Sequence, residues 1–267
     1  MVVKRPLLSP LTPGPGQSRR WPWQSLVDAV MLLLWAAVIA RFSLTGQLYL
    51  LLHPDYMWLA HLALVLLLLL GLLRLAQVWR SVRQGRPAPR SQEHSPLLPR
   101  QVSTGLLIAV ATFGLIYTPR PFTSETAFQR GITDVLGQTR SRPQRLVLSG
   151  QPEDRTIVDW VRTLNVYPEP DAYTGQRVKV IGFVTPMPGW PPDLFMISRF
   201  VLTCCAADAY PVGLPVRLPA AVPAPATDTW LEVSGTMTTA SLDGKRQLVV
   251  ESASLTPIPT PRNPYEY

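Results

Sequence analysis

The sequence predicts a membrane protein in two parts: an α-helical N-terminal part with three transmembrane helices, and an all-β, OB-like C-terminal domain. Three observations predict this class. Three apolar stretches lie within residues 1–118. The same segment has eleven Lys or Arg against three Asp or Glu, whereas residues 119–267 have fourteen of each. Short β-branched segments then dominate residues 144–267.

The N-terminal part begins with a Pro- and Arg-rich leader, residues 1–24, followed by a transmembrane region over residues 25–118. The helices are predicted at about residues 26–44, 56–76 and 102–117. Because a helix needs ~20 mostly apolar residues to cross a bilayer, the second stretch qualifies best. The first carries Asp28 and Arg41 near its ends, and a cleavable signal peptide is its alternative interpretation. The third is short, and a buried core helix is its alternative.

The distribution of Lys and Arg predicts the orientation. The leader has four, and the first loop, residues 45–55, has none. The second loop is Arg-rich: Arg80, Arg83, Arg86, Arg90 and Arg100. The positive-inside rule places the leader and the second loop in the cytoplasm. A third crossing then delivers the C-terminal domain to the extracytoplasmic side of a plasma (inner) membrane. A neutral exported domain is a poor nucleic-acid binder, so no nucleic-acid partner is expected.

The soluble half begins with a linker, residues 119–143, rich in Pro, Thr and Arg, with room for one turn of helix. The β-domain covers residues 144–267. Strands are predicted near residues 145–148, 177–185, 194–203, 214–218, 230–238 and 247–255, and a short helix at 155–164. The pair Asp243-Gly244 favours a two-residue hairpin turn. Five or six short strands in this length suit a small OB-like barrel.

Five segments carry a resemblance to a known family. The first loop contains TGQLYLLLHP, residues 45–54, and a strand GQRVKVIGFV follows at residues 175–184. Residues 199–213 read RFVLTCCAADAYPVG, with both cysteines of the chain side by side. The strand WLEVSG lies at residues 230–235 and the tail PRNPYEY at residues 261–267. With these motifs the chain resembles the YcgQ-like bacterial membrane proteins, and the Cys-Cys-x-Ala-Asp-Ala element is the most specific of them.

The resemblance implies a subunit that pairs with a larger, multi-span integral membrane permease. It implies neither a substrate nor a catalytic residue, and it suggests a link to metal homeostasis. Three helices are too few for a stand-alone carrier, since secondary transporters use repeats of several helices. The sequence therefore predicts a non-enzymatic accessory subunit, in contact with the lipid bilayer, that acts through its exported β-domain.

Cys204 and Cys205 are the main candidates for chemistry, and three interpretations stay open. Cysteine is a small hydrophobe that often packs in cores. Thiolates also bind zinc or copper, and Asp208 or His53 could complete such a site. An exported pair of adjacent thiols could instead serve in redox exchange. A metal-binding module and an extracytoplasmic thiol-redox protein are therefore the two alternative functions.

The remaining candidates have a structural and a functional interpretation each. Arg199 and Asp208 flank the cysteines, where they would form a salt bridge or a turn cap, or orient a ligand or partner. His61 lies in the second apolar stretch, where an ionisable group is costly and suggests a function. His53 could bind metal, and Asp55 is expected to cap the second helix.

Overall fold

The computed structural model describes residues 23–84, 98–132, 151–220, 222–242 and 244–267. The helices are α1 (Trp23–Leu44), α2 (Met57–Gln84), α3 (Arg100–Ile116), α4 (Ser124–Gln129) and α5 (Ile157–Val166). The strands are β1 (Arg177–Thr185), β2 (Leu194–Val201), β3 (Tyr210–Arg217), β4 (Trp230–Leu242), β5 (Lys245–Pro257) and β6 (Tyr265–Glu266). Most of the predicted leader, the centre of the Arg-rich loop and the strand predicted at residues 145–148 lie outside the described residues.

The chain divides into two compact units. The helical unit comprises Met1–Arg41 and Ala60–Tyr117. The β unit comprises Phe42–Leu59 and Thr118–Tyr267. The loop between α1 and α2 and the first residues of α2 therefore belong to the same unit as the C-terminal domain, although more than 50 residues separate them from it along the chain.

In the helical unit, α1 is approached closely by both other helices at glycines. A Cβ added to Gly71 of α2 would lie 2.8 Å from the side chain of Leu33, and one added to Gly114 of α3 would lie 3.2 Å from Val38. Arg41, near the end of α1, donates from Nη1 to the carbonyl of Gly114 at 3.2 Å. Small residues at the contacts are typical of helices that pack inside a membrane.

Two apolar segments, Trp23–Leu44 and Pro54–Gln84, have the length and composition needed to cross a membrane. Only 6% of the most apolar window of the second segment is buried within this chain, whereas the core helix of a soluble protein is mostly buried. The third, Val102–Ile116, is shorter. Two of the three predicted transmembrane helices thus meet the length criterion.

The β unit is built on a mixed sheet with the strand order β1-β4-β5-β3-β2-β6. An additional antiparallel pairing of β1 with β2 joins the two ends of the five-strand order β1-β4-β5-β3-β2. Strands β3 and β5 are parallel, as are β2 and β6, and the other pairs are antiparallel. The predicted all-β domain is therefore a mixed sheet with helices packed on it.

Strands β1 to β5 overlap five of the predicted segments, whereas β6 was not predicted. Strand β1 has the predicted bounds, Arg177–Thr185. Strand β3 begins at Tyr210, four residues before its predicted start, and Pro211 pairs with Phe200 inside the ladder. Strands β4 and β5 continue to a two-residue connection, where Gly244 has a φ of 73°. Asp243 lies outside the described residues.

Helix α5 packs on the core of the sheet. Thr156 and Asp159 form a capping box at its start, in which each side chain accepts the other residue's backbone N–H. Ile157 and Trp160 are fully buried against the sheet. This cap and these apolar residues explain the helix predicted over residues 155–164.

Gly235 provides a test of the sheet. It lies at a register shift between β4 and β5, where an added Cβ would overlap the carbonyl oxygen of Glu251. Because backbone cannot move aside as a flexible side chain does, we expect Gly235→Ala to lower the free energy of unfolding by about 1–3 kcal/mol. Thermal unfolding of the purified protein measures this. The exposed neighbour Thr236→Ala is the control, and equal effects of the two changes would contradict the assignment.

Candidate functional site

Both cysteines lie in the connection between β2 and β3, residues 202–209, which we call the Cys loop. The antiparallel ladder ends at the pair Val201 and Tyr210, and the loop contains one 3-10 turn, Ala206–Asp208. The carboxylate of Asp208 accepts backbone N–H groups from Thr203 at 3.3 Å, Cys204 at 2.8 Å and Cys205 at 3.3 Å. This geometry agrees with the predicted role of Asp208 as a turn cap. The carboxylate holds the backbone that carries both thiols.

The Cys loop brings three possible metal ligands together. One Sγ each from Cys204 and Cys205 and a carboxylate oxygen of Asp208 all lie within 4.8 Å of one another. Cys204 is exposed, Cys205 is partly buried, and neither is in a disulfide. The pair is therefore not simple core packing, because Cys204 is exposed and both thiols lie close to the carboxylate of Asp208.

The environment of Cys204 disfavours thiol exchange. Its hydrogen bond with Asp208, followed by that with Cys205, raises the pKa of the Cys204 thiol to about 12. The thiolate is the nucleophile in disulfide exchange. Since Cys204 is protonated at pH 7, it is a poor exchange nucleophile. A metal ion would have to displace the proton, so metal binding at this thiol strengthens as pH rises.

The loop between α1 and α2 is hydrogen-bonded along the Cys loop. The backbone N–H of His53 donates to the carbonyl of Cys204 at 3.0 Å, and that of Ala206 donates to the carbonyl of Leu51 at 2.9 Å. Between these bonds, Leu52 and Cys205 form an antiparallel β-bridge. His53, the metal-ligand candidate on this loop, and the two cysteines are therefore neighbours in the fold.

The imidazole of His53 caps a helix start. His53 is the N-cap of the 3-10 turn Pro54–Tyr56, and its Nδ1 accepts the backbone N–H of Asp55 at 3.1 Å. Its ring packs edge-on against Tyr267 with 4.5 Å between centroids. The expected cap was Asp55, but the helical turn starts earlier, at Pro54, so the cap position falls on His53. The ligand cluster of the Cys loop does not include a nitrogen of His53.

Arg130, just after α4, is a contributor that the sequence did not indicate. Its Nη1 donates to the carbonyls of Ala206 at 3.1 Å and Ala209 at 2.5 Å, and its guanidinium lies over the ring of Phe122. These two carbonyls flank Asp208. Arg130 thus ties the end of α4 to the carbonyl groups of the Cys loop. Because the contact joins residues at least 76 positions apart, no local sequence pattern indicates it.

Arg199 is directed to the C-terminal tail. Its side chain is 12% exposed, and its three nitrogens donate to carbonyls at 3.2 Å each. The acceptors are Ile181, Asn263 and Pro264. Its Nη1 also lies 3.8 Å from Oε1 of Glu266, which is equally buried. All of its nitrogens have protein partners, so this geometry fits the structural interpretation, and a role in binding a ligand stays a prediction.

Glu266 links the tail to helix α5. Its Oε2 accepts the backbone N–H of Val158, in the first turn of the helix, at 3.2 Å. Burial raises the pKa of the Glu266 carboxyl, while the charge of Arg199 and the hydrogen bonds oppose this rise. The remaining candidate, His61, is an exposed residue of α2 in the helical unit. It is not part of the Cys-loop cluster.

The reactivity of Cys204 tests the geometry of the loop. In a Cys205→Ser background, we expect Asp208→Asn to speed alkylation of Cys204 by iodoacetamide at pH 8 by at least about 10-fold, because loss of the carboxylate charge lowers the thiol pKa. Asparagine keeps one acceptor oxygen, which in the place of Oδ1 still accepts the N–H groups of Thr203 and Cys205. Rates followed by mass spectrometry between pH 7 and 10 measure the shift. Thr203→Ala is the control, and a rate insensitive to Asp208→Asn would contradict the hydrogen bond.

Comparison with protein families gives two matches along the chain. Residues 27–133 match the DUF1980 N-terminal domain, and residues 151–267 match the DUF1980 C-terminal domain. The Cys loop and the tail fall in the second match, and the α1–α2 loop falls in the first. A search of curated proteins returned no match.

Proposed function

The chain belongs to the DUF1980 family, and we propose that it is a membrane-anchored, non-enzymatic subunit whose exported β unit binds a zinc ion through Cys204, Cys205 and Asp208. The single observation that carries the proposal is the cluster of two thiols and one carboxylate within 4.8 Å. Zinc accepts sulfur and oxygen ligands in one site. Copper(I) prefers sulfur alone, so the carboxylate favours zinc over copper.

The cluster has the properties of an exchange site. Structural zinc sites are closed by four protein ligands, whereas sites with three leave a position open. The described residues offer three ligand atoms here, and Cys204 is exposed. An incoming ligand could therefore reach the ion directly. Such a site suits delivery or capture of an ion better than stabilisation of the fold.

The connections of the β unit support an exported domain. Its α1–α2 loop is hydrogen-bonded to the Cys loop, so both lie on one side of the membrane. If α1 and α2 each cross, α2 carries the chain to the opposite side, and α3 has to cross back. Helix α3 has 17 residues, or ~26 Å, close to the ~30 Å of a bilayer core. The Arg-rich α2–α3 loop then marks the cytoplasmic side, and the β unit is outside.

The strand order supports an OB-like barrel in the β unit. Five strands close through the pairing of β1 with β2, and β3 runs parallel to β5 in an otherwise antiparallel barrel. The OB fold is likewise a five-stranded Greek-key barrel. The fold supplies a rigid support for the Cys loop, and it says nothing by itself about the ligand.

The YcgQ-like resemblance adds a partner to the proposal. Three helices provide too little surface for a transport pathway, so the ion would pass to or from a multi-span permease in the same bilayer. Purification of the tagged protein in mild detergent should retain a polytopic partner. Recovery of the chain alone at all detergent concentrations would count against a permease subunit.

Metal analysis tests the binding proposal directly. The full chain in detergent, reduced and freed of metal, should take up one zinc ion per chain at pH 7.5, and competition with a chromophoric chelator gives the affinity. Copper(I) is titrated in parallel. Absence of uptake of either ion would overturn the proposal. A higher affinity for copper(I) than for zinc would identify copper as the bound ion.

A further inference from the structure

We infer that the Cys-loop metal site lies at the membrane surface, next to the headgroup layer, where the membrane-embedded partner proposed above can reach the exposed thiol. This inference rests on the proposed function for the identity of the ion. Its geometric part, the position of the Cys loop relative to the bilayer, depends only on contacts within the β unit.

The first step is the short path from the Cys loop to α2. The carbonyl of Cys204 is 3.0 Å from the backbone nitrogen of His53, which caps the turn Pro54–Tyr56. Helix α2 starts at the next residue, Met57. Four residues span at most ~14 Å even when extended, and the 3-10 turn shortens the path. The carbonyl of Cys204 is thus within ~17 Å of the first residue of α2 at most, which places the Cys loop next to the membrane surface.

The second step is the chemistry of the segment between the two helices. Tyr49, Tyr56 and Trp58 are exposed by 39%, 44% and 60% of their surface. Trp and Tyr concentrate at the boundary between bilayer and water, where an apolar ring and a polar edge both find partners. The segment from residue 42 to residue 73 contains no Lys or Arg. These aromatic side chains place the headgroup layer at the start of α2.

The third step concerns the partner. A carrier diffusing in water would best approach a site raised on the far end of the domain. The exposed thiol of Cys204 instead stands on the loop that is bonded to the start of α2. A multi-span protein in the same bilayer presents its own outer loops at this level. The site geometry therefore favours transfer between two membrane-bound partners.

The depth of the Cys loop can be measured without any metal in the site. A nitroxide is attached to Cys204 in a Cys205→Ser variant, and the protein is placed in nanodiscs. Two reference labels are placed in a Cys204→Ser/Cys205→Ser background. Tyr56→Cys marks the start of α2. Pro192→Cys marks the β1–β2 connection. This connection precedes the first residue of β2, and the strand separates it from the Cys loop by ~24 Å.

Relaxation of each nitroxide is compared for nickel carried on chelating lipid headgroups and for a nickel complex dissolved in water. We expect the label at Cys204 to respond to the lipid-borne nickel as strongly as Tyr56→Cys and more strongly than Pro192→Cys. A response equal to that of Pro192→Cys and below that of Tyr56→Cys would overturn the location. Because the label needs no ion, failure of zinc binding leaves this result unaffected, and the two proposals fail separately.

The partner class has its own readout. A photoactivatable phenylalanine at Tyr56 in intact cells should form an adduct with a multi-span protein that resists alkaline washing of the membranes. The same group at position 192 should not. An adduct from Tyr56 with a protein released by the alkaline wash would overturn the membrane-embedded partner.

Discussion

Replacing Cys204 and Cys205 together by serine should weaken zinc binding by the full chain at least about 100-fold, without loss of the fold. Alteration of groups that merely support a metal ligand typically costs 10–100-fold in affinity, and this variant removes two of the three ligands themselves. The hydroxyl of serine does not ionise at neutral pH and is a poor zinc ligand. The carboxylate of Asp208 still accepts the backbone N–H groups of residues 203 to 205 in this variant, and a serine at position 205 can replace the Cys205 side chain as acceptor in the capping box with Asp208, so we expect the loop to keep its conformation.

Chelator competition at pH 7.5 measures the change, with Thr203→Ala as the matched control on the same loop. Each single Cys→Ser variant should fall between the wild type and the double variant. Affinity should also drop as pH falls, because protons compete with the ion for the thiolates. Zinc binding that survives the double replacement at wild-type strength would place the ion elsewhere and refute the assigned ligands.

Replacing Arg199 by methionine should lower the free energy of unfolding of the β unit by about 3–5 kcal/mol, because it leaves the carboxylate of Glu266 buried without a countercharge. Both side chains are 12% exposed, and their nearest charged atoms are 3.8 Å apart. The change also removes two hydrogen bonds that hold the tail to the sheet, to the carbonyls of Asn263 and Pro264, and a third to the carbonyl of Ile181 in β1. We expect a fall in Tm on the order of 10 °C.

Thermal unfolding followed by tryptophan fluorescence measures this loss, since Arg199 lies 5.3 Å from the ring of Trp230. The double variant Arg199→Met/Glu266→Gln removes both charges and keeps an acceptor for the N–H of Val158, so it should regain part of the loss. Arg177→Met, which breaks an exposed pair with Glu153, should change stability by less than about 1 kcal/mol. An equally small effect of Arg199→Met would show that the buried pair does not hold the tail.

Local sequence patterns predicted most of the elements. The long apolar stretches predicted the helices of the N-terminal part, and the β-branched segments predicted most of the strands. The predicted bounds of β1 agree with the observed ones. The errors came from residues whose role depends on distant neighbours. Strand β3 was expected to begin near residue 214, but it begins at Tyr210, because residues of β2 supply the pairing for the four earlier positions. Asp55 was expected to cap the second helix, but a 3-10 turn precedes that helix, and His53 is the N-cap of this turn.

The sequence by itself determined the apolar segments, the β-rich half and the grouping of Cys204, Cys205 and Asp208, because each depends on spacing within a few residues. Only the tertiary structure decided what surrounds them. It placed the α1–α2 loop along the Cys loop, Arg130 on the loop's carbonyls, and Arg199 on the tail. These contacts join residues 64 to about 150 positions apart, and they form because buried backbone groups and charges need partners that only the folded sheet brings within reach.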